Sequence, residues 1–187
     1  MAKVNPISGY ELYLERVLIS EEQLKARVVE LGAEISRDYA GLCPLLLCIL
    51  RGGVVFLTDL MRSLSIPHHI DFMAVSSYGV GARVSSGSPR IVLDVNTDIA
   101  GRHVLLVEDI VDSGHTLDHV LRLLQTREPA SLKVCVLLDK SERRVVDIPI
   151  AYRGFAIPDE FVFGYGLDVD ELYRNLPFIG VLKREYQ

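Results

Sequence analysis

Three acidic side chains near the middle of the chain are the strongest sign of chemistry in this sequence. The stretch 104–117 reads VLLVEDIVDSGHTL. Glu108 and Asp109 end an apolar run, and Asp112 follows three positions later, directly before Ser-Gly-His-Thr. Small residues and hydroxyls at the start of a helix suit a phosphate, because free backbone N–H groups there bind anions. Gly114 also lets the backbone approach a ligand without a Cβ.

The two adjacent acids repel phosphate, so they should face another group. Vicinal hydroxyls of a sugar, or Mg²⁺ held by those hydroxyls, suit Glu108 and Asp109. The alternative is that the acids are solvated and that Asp112 or Ser113 only caps the following helix. Capping does not explain two acids placed directly after a buried strand. The segment is not a Walker A loop, because it lacks a Gly-Lys-Ser/Thr ending.

The elements around this segment predict an α/β fold, with a parallel-sheet core flanked by helices. The apolar runs 44–50, 104–107 and 134–138 are short and continuous, which is typical of strands buried on both faces of a parallel sheet. Residues 69–75 predict a further strand. A helix with an apolar face separates the last two runs, giving a right-handed βαβ unit. Ligands are then expected beyond the carboxyl ends of the strands.

Other segments define the limits of this core. Ser20 with Gln23 fits a capping box that opens a helix, followed by apolar residues at helical spacing. Residues 76–90 contain three glycines and five serines and predict a long loop of the kind that forms lids. From residue 146 the pattern is irregular, with three prolines. We therefore expect one domain over 1–187, with a core of about 20–145 and a smaller hood over 146–187.

Bulk composition excludes several functional classes. The 187 residues carry a formal net charge of -5, so no bulk positive field attracts nucleic acid or an anionic membrane. No apolar run approaches the ~18 residues that span a bilayer. The three cysteines, Cys43, Cys48 and Cys135, lie in apolar stretches and predict buried, reduced thiols in a cytoplasmic protein.

The segment 104–116 resembles the phosphoribosyl-pyrophosphate motif of type I phosphoribosyltransferases: an apolar strand, two acids, two apolar residues, Asp, a small residue, Gly, any residue and Thr. Across roughly 45–183 the chain looks like the hypoxanthine-guanine branch of that family. The segments that carry this second resemblance are Leu50-Arg51-Gly52-Gly53, Ser76-Ser77-Tyr78-Gly79, Lys140, Phe161 to Asp168, and Arg174. The resemblance implies the type I phosphoribosyltransferase fold with a small hood formed by the chain termini.

The resemblance also implies a set of site residues. The ligands of phosphoribosyl pyrophosphate are Glu108, Asp109, Ile110, Val111, Asp112, Ser113, Gly114, His115, Thr116, Leu50, Arg51, Gly52 and Arg174. Purine is bound by Lys140, Phe161, Val162 and Asp168, and the lid begins with Ser76, Ser77 and Tyr78. Glu108, Asp109 and Asp168 hold Mg²⁺. Asp112 is the general base, and family members carry a cis peptide at the bond that is here Leu50–Arg51.

Several of these roles suit the side chains themselves. Arg51 and Arg174 are fork-shaped donors that match pyrophosphate. Phe161 offers a ring that can stack on a base, and Lys140 is a point donor for a carbonyl oxygen. Asp168 can hold a water-rich Mg²⁺ through one carboxylate.

The implied reaction joins a 6-oxopurine, hypoxanthine or guanine, to the ribose 5-phosphate of phosphoribosyl pyrophosphate. It yields IMP or GMP and pyrophosphate, without nucleic acid or membrane partners, and relatives form homodimers or homotetramers. Two alternatives stay open: a transferase for another base such as xanthine, and a regulatory RNA-binding protein of the same fold. The low content of clustered Lys and Arg argues against the second.

Some residues of reactive type favour ordinary roles. His115 and His119 have a helical spacing that can hold zinc, but no third ligand is evident. Position 115 is Lys or Leu in several members of the family, so His115 changes the contacts near the phosphate. The charged run 140–144 also fits a solvated loop, and the functional role of Lys140 depends on its place after a buried strand.

Overall fold

The computed structural model describes residues 8–76 and 90–187. Its strands are β1 (Leu14–Ile19), β2 (Leu45–Leu50), β3 (His69–Ser76), β4 (Arg90–Leu93), β5 (His103–Val111), β6 (Ser131–Asp139), β7 (Ile150–Ala156), β8 (Val162–Phe163) and β9 (Ile179–Leu182). Its helices are α1 (Glu21–Asp38), α2 (Gly53–Ser63) and α3 (His115–Gln125). Three single 3₁₀ turns lie at Tyr10–Leu12, Ser141–Arg143 and Arg184–Tyr186.

The main sheet has six strands in the order β4-β3-β2-β5-β6-β7. Neighbouring strands are parallel except for β4, which runs antiparallel to β3. The central strands β2, β5 and β6 are the continuous apolar runs of the sequence, and their side chains are buried on both faces. The predicted parallel α/β core is confirmed.

Helices cover both faces of this sheet, which explains the unbroken apolar strands. On one face α1 and α2 pack against each other and the sheet, around Leu31, Phe56 and Leu105. On the other face α3 packs through Leu117, Val120 and Leu124. Ser20 caps α1, and Gln23 completes the predicted capping box.

The hood is a small antiparallel sheet in the order β1-β9-β8. It joins both ends of the chain, with Phe163, Leu176 and Leu182 buried at its centre. The boundary expected at residue 146 does not match this structure, because β7 belongs to the main sheet. As an edge strand with exposed positions, β7 lacks the continuous apolar run that marks the central strands.

The cysteines divide into two environments. Cys48 and Cys135 are buried, as predicted, and burial raises the pKa of both thiols. The prediction was wrong for Cys43, which is exposed in the turn after α1 and has a positive φ of 47°. Its apolar neighbours enter β2, but Cys43 itself belongs to the turn. Within the described residues, no helix combines the length and the apolarity that crossing a bilayer requires.

Candidate active site

A cavity of about 350 Å³ lies at the carboxyl ends of β2 and β5, where the parallel topology brings the loops after both strands together. Most of the residues predicted to bind phosphoribosyl pyrophosphate line it. The lining residues are Ile49, Leu50, Arg51, Gly52, Val75, Glu108, Asp109, Ile110, Val111, Asp112, Ser113, Gly114, Thr116, Leu117, Leu167, Asp168 and Arg174. Segments that are distant in sequence therefore meet at one site.

The predicted phosphate loop, residues 112–116, connects β5 to α3. Backbone hydrogen bonds from residues 145 and 146, after β6, hold it in place. The Val145 and Val146 backbone N–H groups donate to the Ser113 carbonyl oxygen at 3.0 and 3.1 Å. Gly114 has a φ of +90°, and a Cβ there would lie 2.8 Å from the Val146 carbonyl oxygen. Only glycine fits this backbone without strain or collision. These backbone contacts fix the shape of the loop.

His115 is the one residue of the predicted phosphate loop that does not line the cavity. It is the first residue of α3, and its side chain is exposed. His119 is also exposed one turn later. No group of three or more His, Cys, Asp or Glu side chains in residues 8–76 and 90–187 is arranged to hold a metal ion by itself. The zinc interpretation of the two histidines therefore receives no support.

The two adjacent acids, Glu108 and Asp109, have raised pKa values. Burial, reinforced by the charge of Asp109, raises the pKa of Glu108 well above its ordinary value. Burial also raises the pKa of Asp109, to about 6. Glu108 Oε2 is buried and has no hydrogen-bond partner within the described part of the chain. The described residues form no ion pair with either carboxylate, and the charge of Arg174 offsets the burial of Asp109 only in part. A bound divalent ion or sugar hydroxyls would compensate the remaining charge.

Mg²⁺ fits this donor set only with help from substrate. The candidate ligands Glu108, Asp109 and Asp168 supply hard oxygens, as Mg²⁺ prefers, and all three line the cavity. However, the two oxygens of Asp168 are engaged by Arg174 at 2.8 Å and by the Glu171 N–H at 2.8 Å. A Mg²⁺ held by few carboxylates and completed by water and phosphate oxygens is typical of such sites.

The loop after β2 is packed against the acids without room for side chains. The Leu50–Arg51 peptide bond is cis, as the resemblance implies. A Cβ on Gly52 would overlap the Asp109 carboxylate, and a Cβ on Gly166 would overlap the Gly52 carbonyl group. The backbone of this loop is thus fixed at Gly52 between Asp109 and the hood.

Asp112 does not cap α3, which the sequence had left open. The N-cap position is Gly114, and no side chain of the described residues provides a cap hydrogen bond. Asp112 Oδ1 lies 3.2 Å from Arg143 Nε, an ion-pair distance. That oxygen is nevertheless buried without an aligned hydrogen bond from any described residue. Asp112 also lines the cavity, so its carboxyl group lies next to the space that a ligand would occupy.

Several charged residues around the site were missed by sequence reasoning. Asp139, at the end of β6, is buried and pairs with Arg144 and with Arg153, the latter at 2.8 Å. Arg144 Nε also donates to the Asp112 carbonyl oxygen at 3.1 Å. The charged run that fits a solvated loop is thus part of the site. The sequence does contain a signal for Asp139, because this acid directly precedes Lys140 at the end of an apolar run.

Two of the predicted purine-binding residues, Lys140 and Phe161, contact each other beside this cavity, where the Lys140 N–H donates to the carbonyl oxygen of the lining residue Val111. Lys140 is only 5% exposed, and its Nζ lies 5.5 Å from the centroid of the Phe161 ring. Asp159 Oδ1 is 3.8 Å from the same Nζ. The Phe161 ring is 51% exposed, so one face can accept a flat ligand. Val162 follows in β8 and pairs with Val181.

The two predicted pyrophosphate arginines also meet. Arg51, after β2, and Arg174, in the hood, both donate to Glu171 Oε2, at 2.7 and 3.0 Å. Glu171 was not predicted. Of the predicted lid residues, Ser76 ends β3, whereas Ser77 and Tyr78 lie outside the described residues.

Comparison with known proteins agrees with this arrangement. Residues 19–170 match the family described as the phosphoribosyl transferase domain. The chain is 50% identical to the hypoxanthine-guanine phosphoribosyltransferase of Mycobacterium avium, over 98% of this chain and 95% of that protein. It is 48% identical to the hypoxanthine phosphoribosyltransferase of Salmonella typhimurium, over 88% of this chain and 93% of that one.

Solved structures give the same result. The crystal structure of a hypoxanthine phosphoribosyltransferase from Staphylococcus aureus superposes with a TM-score of 0.90 at 44% identity, covering 97% of this chain and 98% of that one. The family match extends over most of the chain, and the relatives are similar over nearly their full length. The chain belongs to the phosphoribosyltransferase family, in the branch of the hypoxanthine-guanine phosphoribosyltransferases.

Proposed function

We propose that the chain is a purine-salvage enzyme that transfers the 5-phosphoribosyl group of phosphoribosyl pyrophosphate to hypoxanthine or guanine. One observation supports this proposal most strongly. The phosphate loop, the paired acids, Arg51 and Arg174 line one cavity, and Lys140 and Phe161 lie beside it. A sugar bearing phosphate at both ends matches the first group of residues. A flat base with a carbonyl oxygen matches the second.

The reaction is a displacement at the anomeric carbon. The purine ring nitrogen forms a bond to that carbon, the bond to pyrophosphate breaks, and the product is IMP or GMP. Asp112 would accept the proton that leaves the purine, at N7. Arg51 and Arg174 would hold the departing pyrophosphate, while the loop 112–116 binds the 5-phosphate. These groups raise the rate by holding the reactants in line and stabilising the leaving charge.

Mg²⁺ is proposed as the cofactor, held by Glu108, Asp109 and Asp168 together with substrate oxygens. When bound, it would supply positive charge next to the ribose hydroxyls and the pyrophosphate. We expect activity to vanish when divalent ions are chelated and to return when Mg²⁺ is added. Nucleotide formation followed with and without chelator checks this. Full activity after complete chelation would exclude a metal requirement.

Base recognition gives a second expected result. Lys140→Ala should raise the KM for hypoxanthine roughly 10- to 100-fold, since a hydrogen bond to a charged group contributes about 1.5–3 kcal/mol. The KM for phosphoribosyl pyrophosphate should change far less, because only the base presents the carbonyl group. Lys133→Ala is the matched control, because Lys133 is exposed in β6, the strand that Lys140 directly follows, and contacts the Tyr39 ring instead. Equal losses for both substrates would mean that Lys140 is structural.

The function is tested with a panel of hypoxanthine, guanine, xanthine and adenine, each with phosphoribosyl pyrophosphate and Mg²⁺. We expect nucleotide from hypoxanthine or guanine and none from adenine, which offers an amine in place of the 6-oxo group to Lys140. RNA binding at physiological salt is measured in parallel. Binding of RNA without nucleotide formation would favour the regulatory alternative. A cytoplasmic location and a homodimer or homotetramer are part of the same proposal.

A further inference from the structure

One carboxylate oxygen in the hood is shared by two arginines from distant parts of the chain. Glu171 Oε2 accepts from Arg51 Nη1 at 2.7 Å and from Arg174 Nη2 at 3.0 Å. Arg51 follows β2 in the main sheet, whereas Arg174 and Glu171 belong to the hood. Both arginines line the cavity, but Glu171 does not. The carboxylate is therefore not part of the cavity wall, yet it occupies donors of two residues that are.

The position of Glu171 is fixed by its own backbone. Its N–H donates to Asp168 Oδ2 at 2.8 Å, and its φ is +66°. The hydrogen bond from Arg174 and the charge of Arg51 hold the pKa of Glu171 below its ordinary value. The Glu171 carboxylate therefore lies between the two arginines that pyrophosphate is proposed to contact.

The Nη1 and Nη2 groups of Arg174 both already donate to acceptors within the protein. Its Nη1 donates to the Gly166 carbonyl oxygen at 2.9 Å, and its Nη2 serves both Asp168, at 2.8 Å, and Glu171. A pyrophosphate that uses the same guanidinium face must take over donors from a carboxylate. Asp168 is a proposed metal ligand, and Gly166 is backbone. Glu171 is the partner whose side chain is mostly exposed to solvent, at 65%, so it is the partner that can most easily move to water.

We propose that Glu171 is an internal counter-anion of the pyrophosphate subsite, which holds Arg51 and Arg174 in the empty site and competes with pyrophosphate for them. This inference rests on the proposed function. Each binding event then includes the release of Glu171, which weakens the affinity for the pyrophosphate group. The same competition favours departure of the product, because Glu171 takes the donors back as pyrophosphate leaves.

The opposite role for Glu171 is to orient both arginines and to stay in contact when pyrophosphate binds. The two roles predict opposite signs. If Glu171 competes, neutralising it tightens pyrophosphate binding. If it only orients the arginines, neutralising it weakens binding, because the arginines lose their fixed geometry. Exposed ion pairs are individually weak, so we expect a change of about threefold to tenfold.

The test uses Glu171→Gln and measures the dissociation constant of inorganic pyrophosphate at saturating Mg²⁺, together with the KM for phosphoribosyl pyrophosphate. Both should fall about threefold to tenfold, while the KM for hypoxanthine stays the same. Glu171→Asn should act similarly, since Asn is uncharged and tolerates a positive φ. Asp170→Asn is the matched control, because Asp170 is the adjacent residue and has the same charge. No contact of its side chain with an arginine is recorded in the described part of the chain.

Weaker or unchanged pyrophosphate binding in both Glu171 variants would overturn the inference. Equal tightening in Asp170→Asn would also overturn it, because the effect would then come from net charge alone. Failure of the proposed function has a different signature. In that case the unaltered protein forms no nucleotide from any base, whatever the Glu171 variants do to pyrophosphate binding.

Discussion

Replacing Asp112 with Asn should lower kcat on the order of 100-fold or more, the usual contribution of a general base. Asn has nearly the same shape as Asp but cannot accept the proton that leaves the purine. The structure removes the competing explanation that Asp112 caps α3, because the N-cap is Gly114. The ion pair with Arg143 is partly exposed, so its loss should change the melting temperature little.

Single-turnover kinetics separate the chemical step from product release in this variant. Asp118→Asn is the matched control, since it removes one carboxylate from the first turn of α3 and leaves the cavity lining intact. We expect the control to retain nearly full turnover. An unchanged chemical step in Asp112→Asn would eliminate its role as general base.

Asp109→Asn should change activity and stability in opposite directions. Loss of a carboxylate that binds Mg²⁺ or ribose should lower kcat/KM for phosphoribosyl pyrophosphate roughly 10- to 100-fold. In metal-free buffer at pH 7.5, however, the variant should unfold at a higher temperature. Burial raises the pKa of Asp109 to about 6, so the folded protein at that pH contains a buried charge that its surroundings compensate only in part. Asn removes this charge and retains an oxygen that accepts from the Ile110 N–H.

The pH dependence follows from the same shift in pKa. A carboxyl group whose pKa is raised by folding contributes its stability at low pH and loses it as pH rises through about 6. The gain from Asp109→Asn should therefore be on the order of 2–3 kcal/mol at pH 7.5. It should shrink as pH falls toward the ordinary pKa of Asp, about 4.

A carboxylate with the opposite shift provides the control. The hydrogen bond from Arg127 is the largest cause that holds the pKa of Asp94 below its ordinary value, so Asp94→Asn should lower the melting temperature at pH 7.5. Thermal unfolding of both variants across pH 4.5–8 in chelator tests whether the melting temperature rises for Asp109→Asn and falls for Asp94→Asn. A lower melting temperature for Asp109→Asn at pH 7.5 would show that its carboxylate stabilises the metal-free fold.

Much of the fold could be predicted because its strongest physical signals are local. The runs that became β2, β5 and β6 are apolar without interruption, since helices cover both faces of the sheet. The edge strand β7 could not be recognised in this way, because its burial changes from residue to residue and Gly154 interrupts it. Edge strands lack a second neighbouring strand, so less of their surface needs to be apolar.

The site could be predicted where one segment carries the chemistry. The acids and the phosphate loop lie together within residues 108–116, and their spacing is enough to suggest their roles. The contacts of Glu171 could not be predicted, because they join the end of β2 to the hood across 120 residues. Arg143 could not be linked to Asp112 for a similar reason. Long-range ion pairs leave no periodicity in the sequence.

Quantifying the products tests directly whether the protein transfers the phosphoribosyl group to a 6-oxopurine. The unaltered protein is incubated with phosphoribosyl pyrophosphate, Mg²⁺ and hypoxanthine, and both products are quantified by mass spectrometry, with adenine in a parallel reaction. We expect IMP and pyrophosphate in equal amounts, and no nucleotide from adenine. Pyrophosphate released without IMP, or nucleotide formed from adenine but not from hypoxanthine, would contradict it.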